Sequence, residues 1–143
     1  MKRISILLLI SLSLFAANID DFAKKMSFQR DYKTALTKSK QMHKPLVMIL
    51  SADYCPWCRK FENRTLESSL VKTELNKHFI VLVVDKKYDI KSFPSKYRTQ
   101  FTPKVFFINS KDESVFLDTT GYIKKKQFLQ KLKQALKLYK DMP

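Results

Sequence analysis

Apolar positions along this chain repeat with two different periods, and the switches between them divide it into elements. Phe28, Tyr32, Ala35, Leu36 and Ser39 return at helical spacing with polar residues between them, and the stretch stops before Pro45, which disfavours a helical residue ahead of it. This predicts a first helix. Leu46-Val47-Met48-Ile49-Leu50 is apolar at every position, the pattern of a strand covered on both faces. From Pro56 onward Cys58, Phe61, Thr65 and Leu66 keep helical spacing, and Leu70, Val71 and Leu75 continue it on a second helix or beyond a kink. Phe79 to Val84 reads as a second buried strand. A polar stretch then leads through Pro94 to a short helix ending near Phe101, followed by a third strand at Val105 to Ile108. Asn109 to Glu113 has turn chemistry, so Ser114 to Leu117 is expected to return as a hairpin partner. Phe128, Leu132, Ala135, Leu136 and Tyr139 make one face of a closing helix, while Asn18 to Met26 reads as a loosely held lead-in.

Crossover helices between the early strands require parallel pairing, and the short final turn requires antiparallel pairing. The expected fold class is therefore α/β, a central mixed β-sheet flanked by helices. With 143 residues, 45% of them hydrophobic, the chain suits one domain with a real core. Gly121 is the sole glycine, which excludes Gly-rich phosphate loops of the Rossmann or P-loop type.

The first residues change the picture of location. Lys2 and Arg3 precede an apolar and serine run from Ile4 to Phe15, which ends at Ala16-Ala17. The run is too short for the ~20 residues that span a bilayer. Met1 to Ala17 is read as a secretory signal peptide, with residues 18–143 as the exported, periplasmic and soluble domain. Without Lys2 and Arg3, 26 basic residues face 13 acidic ones, a net charge of +13. The excess is mostly lysine spread along the whole chain, unlike the clustered Arg and aromatic residues of a groove reader, so nucleic acid is not an expected partner. A diffuse cationic surface speeds encounter with acidic partners, and salt weakens that effect.

Only two cysteines are present, three positions apart, a spacing that random placement gives in roughly one pairing in seventy. They sit where a buried strand gives way to a helix. Pro56 suits the first helical position, which makes Cys55 the N-cap, its sulfur facing unpaired N–H groups that favour thiolate over thiol. Cys55 is thus the expected nucleophile, and Cys58, one turn further in, the resolving thiol. Two blander readings compete. A zinc site usually takes four protein ligands, and His43 and His78 lie far off in sequence, so no metal is expected. A purely structural disulfide closing so short a ring adds little stability in the chain-entropy model.

The sequence resembles the thioredoxin superfamily from Gln29 to Tyr139. The likeness rests on Pro45 ahead of the first buried strand, on Ala52-Asp53-Tyr54-Cys55-Pro56-Trp57-Cys58, and on Thr102-Pro103 ahead of Val105 to Ile108. Within it, Cys58-Arg59-Lys60-Phe61-Glu62 is most similar to exported bacterial thioredoxins and the C-terminal domain of DsbD. The resemblance implies a cis Pro103 facing the cysteines, with the Thr102 backbone pairing to substrate like an added strand. It also implies a docking rim of Tyr54, Pro56, Trp57 and Phe101. One departure stands out: thioredoxins commonly carry a buried acid six residues before the first cysteine, and Ile49 occupies that position. Glu62, four residues after Cys58 and so on the same helical face, is the expected proton acceptor, with Asp53 the weaker candidate.

Three functions follow. The first is a disulfide reductase of exported proteins, kept reduced by a membrane thiol electron donor of the DsbD type. It acts as a monomer without a bound cofactor or stable membrane insertion. Thr102 before the proline and the absence of a histidine between the cysteines resemble reductases and isomerases more than DsbA-type oxidants, which also insert a helical domain that this chain has no room for. The second is an oxidant or isomerase, since about 1.4 kcal/mol shifts a two-electron couple by 30 mV. The third is a non-catalytic binding module or chaperone of the same fold.

Overall fold

The computed structural model describes residues 18–143, so the segment read as a signal, Met1 to Ala17, lies outside the described residues. Four strands form one mixed sheet: β1 Leu46–Ser51, β2 Ile80–Asp85, β3 Lys104–Ile108 and β4 Val115–Thr120, in the spatial order β2-β1-β3-β4. β1 runs parallel to β2 and antiparallel to β3, and β3 is antiparallel to β4. The helices are α1 Ile19–Met26, α2 Tyr32–Met42, α3 Pro56–Phe61, α4 Ser69–His78 and α5 Lys125–Lys140.

The continuous apolar runs are explained by the two-residue period of a strand. Val47 and Ile49 of β1, with Val81, Val83, Val105 and Phe107, face a core completed by α1, α3, α4 and α5, where Phe61 meets Phe128 edge-to-face at 5.2 Å. Leu46, Met48 and Leu50, with Leu82, Val84 and Ile108, face the opposite core against Tyr32 and Ala35 of α2, Phe93 and Tyr97. All six residues of β1 are buried. Each such aliphatic side chain contributes about 1.5–3 kcal/mol through burial, which holds the central strand, and whatever follows it, in a fixed place.

Several elements differ from the sequence expectation, each for a physical reason. Asn18 to Met26 is a capped helix: the Asn18 side chain accepts the Asp20 N–H at 2.9 Å, Asp20 and Asp21 occupy the first turn, Lys24 and Lys25 the last, and Phe22, Ala23 and Met26 are buried. The next helix starts at Tyr32 rather than Phe28, because Asp31 caps it and accepts the Thr34 N–H at 2.7 Å. Gln29 is extended instead, exchanging backbone hydrogen bonds with Val81 and Val83 on the outer edge of β2. The helix expected to end near Phe101 is one 3₁₀ turn, Ser95–Tyr97, and the last strand runs further than expected, to Thr120. The helix after the cysteines does not simply kink but passes into a π-helical turn, Glu62–Leu66, in which the Glu67 N–H reaches the Glu62 carbonyl at 2.9 Å.

Candidate active site

β1 ends at Ser51, and a short turn through Asp53 and Tyr54 delivers Cys55 to the N-cap of α3, with Pro56 at the first helical position. Cys55 has extended backbone, φ −123° and ψ 94°, and its Sγ accepts the Cys58 N–H at 3.1 Å. The two sulfurs are joined in a disulfide, with the Cα atoms 5.1 Å apart. Their surroundings differ sharply. Cys58 is 1% exposed, packed beside the core, whereas Cys55 is half-buried at the surface. A sulfur that accepts a helix N–H, as Cys55 Sγ does, carries negative charge at lower cost than one in an apolar interior.

The loop before β3 closes on Cys55 from the other side. The Thr102–Pro103 peptide is cis and Pro103 is buried; the Thr102 carbonyl oxygen lies 3.6 Å and its hydroxyl 3.5 Å from Cys55 Sγ. Gly121, just past β4, holds this loop: its N–H donates to the Pro103 carbonyl at 2.8 Å, and its φ of +81° is a conformation that favours glycine. Around this pair stand Tyr54, 98% exposed, Phe101, 67% exposed, and Trp57, 56% exposed, with Pro56 exposed between them. Monomeric surfaces seldom gather large apolar side chains in this way unless something binds there.

Behind the cysteines, Glu62 begins the π turn with only 5% of its surface exposed. Its Oε1 accepts from the Ser51 hydroxyl at 3.0 Å and from Arg59 Nη2 at 2.7 Å, and the same Nη2 donates to Ser51 Oγ at 2.8 Å. Burial pushes the Glu62 carboxyl up from the usual carboxylate range. The Arg59 charge and the Ser51 hydrogen bond offset part of that rise. Ile49 lies in the apolar core between Val83 and Val105, and Asp53 is exposed in the turn. A buried acid is therefore present at the end of β1, supplied from α3's C-terminal side rather than from the strand.

Four residues here lie outside the sequence expectations. Ser51 and Arg59 hold Glu62, and Tyr122 stacks on Trp57 with centroids 6.0 Å apart and planes at 29°. Lys60 Nζ sits 4.9 Å from the Trp57 ring and 4.8 Å from that of Tyr122, a cation–π bracket that fixes the exposed indole. Spacing signals Lys60, three residues after Trp57 on the helix, and the sole glycine marks the turn that presents Tyr122. Nothing in the sequence pattern pairs Ser51 with Glu62.

The family described as a thioredoxin-like domain matches residues 32–136. The curated Disulfide bond reductase DsbH of Chlamydia pneumoniae is 29% identical over 125 residues, 75% of this chain and 71% of that protein. A solved structure of DsbH Oxidoreductase superposes with a TM-score of 0.63 at 26% identity, covering 77% of this chain and 84% of that one. The oxidised C-terminal domain of Neisseria meningitidis DsbD gives 0.58 at 22% identity over 76% of this chain and 98% of that chain, which is a likeness of fold. The mixed sheet, the helix-capping cysteine pair and these relatives agree: the chain belongs to the thioredoxin-like domain family and is a thiol–disulfide oxidoreductase whose CxxC pair is Cys55 and Cys58.

Proposed function

We propose that the chain is a disulfide reductase of exported proteins, drawing electrons from a membrane thiol donor of the DsbD type and needing no bound cofactor. The observation that carries this reading is the unequal pair: a half-buried Cys55 sulfur at a helix N-cap, against the Thr102 backbone, bonded to a buried Cys58. In the reduced protein the Cys55 thiolate attacks one sulfur of the substrate disulfide, forming a mixed disulfide and releasing the first substrate thiolate. Cys58 gives up its proton and its thiolate attacks Cys55 Sγ, releasing the second substrate thiolate. Two electrons pass to the substrate, and the protein is left with the Cys55–Cys58 disulfide.

Each other residue has a role in this sequence. The Thr102 backbone aligns the substrate segment as an added strand, and Tyr54, Pro56, Trp57 and Phe101 cover its apolar side chains. Glu62 accepts the Cys58 proton: a buried carboxylate with a raised pKa is a stronger base than an exposed one. Thr102 before the proline, the histidine-free Pro56-Trp57 pair and the similarity to the Chlamydia pneumoniae disulfide bond reductase support the reducing direction. Met1 to Ala17 supports export.

Trapping thiols in intact cells while measuring the potential of the same pair tests this. A pair found mostly reduced, with a potential near thioredoxin's roughly −270 mV, supports a reductase. A pair found oxidised near roughly −120 mV identifies an oxidant and overturns the proposal. Function that survives Cys55→Ser would instead identify a binding module.

A further inference from the structure

The C-terminal ends of β1 and β2 open into a cleft of about 640 Å³. That lies within the range of roughly 300–1,000 Å³ typical of binding sites. Leu50, Ile90 and Phe93 form its apolar floor, and Lys86, Lys87 and Arg98 stand around it. No acidic residue lines it. The nearby carboxylates are turned inward: Asp85 accepts the Lys87 and Tyr88 N–H groups, and Asp89 accepts from Arg30 and from the Asp85 N–H. Lys86 Nζ donates to the Gln100 carbonyl and Arg98 Nη2 to the Ile90 carbonyl, so among the described residues none of the three cations has a carboxylate within ion-pair distance.

The wall of this cleft is the same chain segment that forms the substrate ledge. Gln100 lines the cleft, and two residues later the Thr102 carbonyl lies 3.6 Å from Cys55 Sγ. Two residues of chain span no more than about 7 Å, so an extended segment lying across the disulfide reaches the cleft within a few residues. Three cations without a carboxylate partner, beside an apolar floor, select a segment carrying both carboxylates and an apolar side chain.

We infer that this cleft is a specificity site, which takes an acidic, apolar stretch next to the reactive cysteine of the disulfide-bearing partner protein. The inference rests on the exchange chemistry proposed above and adds the substrate class to it.

Single-turnover exchange between the reduced protein and two synthetic disulfide peptides tests it. The peptides are identical except that one carries Asp and Glu beside an apolar residue near its cysteine, and the other carries Asn and Gln. The expected result is a rate at least about tenfold higher for the acidic peptide at low salt. In Lys86→Gln/Lys87→Gln/Arg98→Gln that ratio falls to near one, while a small uncharged disulfide reacts as before, which also shows that the variant is folded. Lys125→Gln/Lys133→Gln/Lys137→Gln on α5 removes the same charge elsewhere and keeps the preference. A parent protein without the preference, a cleft variant that retains it, or an α5 variant that loses it equally would overturn the inference. Failure of the reduced protein to exchange with either peptide would instead overturn the proposed function.

Discussion

At Glu62 burial and charge pull in opposite directions, and burial wins. Its pKa in the folded chain stands above the ordinary value of 4.5, so folding binds its proton more tightly than the unfolded chain does. Glu62 therefore contributes stability that is full below pH 4.5 and lost as pH rises through its folded value. Glu62→Gln removes this dependence. Whatever constant cost attends the lost Arg59 partner, the melting temperature of the variant relative to its parent should climb as pH rises above 4.5. In the mechanism, the same substitution should slow release of the mixed disulfide about 10²-fold while leaving the first attack nearly unchanged. Stopped-flow quenching and mass spectrometry separate the two steps. An added Cβ meets nothing within 4 Å, so Gly121→Ala costs only the strain of a φ of +81°, about 1–2 kcal/mol by denaturant titration. The cysteines announce their chemistry through spacing and through Pro56. The contacts of Glu62 with Ser51 and of Trp57 with Tyr122 join residues 11 and 65 positions apart, which no local pattern records.

Among the elements, α1 was the least legible, because eight residues with three buried ones give too little periodicity to stand out. What fixes it is tertiary. Phe22 packs edge-to-face on Phe28 at 6.1 Å, Met26 is buried, and Arg30 ties Asp20 to the Val83 carbonyl and to Asp89. Phe22→Ala should therefore cost about 3 kcal/mol in chemical denaturation, a loss that a loose lead-in would not show. The buried strands were legible for the opposite reason: both cores press on β1 and its neighbours, leaving uninterrupted apolar runs. The π turn at Glu62–Leu66 escaped notice, since one extra residue per turn barely alters a helical pattern. That turn starts at Glu62, the buried carboxylate held by Ser51 and Arg59, so the least predictable stretch of the helix carries the proposed proton acceptor.

For the whole molecule, the proposed direction of electron flow has a thermodynamic signature. DsbA is a strong oxidant because its reduced form is the stabilised one. A reductase requires the reverse, so the oxidised protein should melt above the reduced protein in paired calorimetric scans. The architecture was readable from alternation of helix and strand, and the motif then located the site at the end of β1. The cleft was not readable, because Leu50, Lys86 and Arg98 converge only when β1, β2 and the loop before β3 are brought together. In the proposed exchange Cys55 attacks and Cys58 resolves. Mixing the reduced single-cysteine variants with a disulfide peptide and weighing the adducts by intact mass tests it most directly. Cys58→Ser should rapidly accumulate a mixed disulfide on Cys55 and hold it, while Cys55→Ser forms little or none. Rapid adduct formation on Cys58 in Cys55→Ser, or none in either variant, would contradict the account.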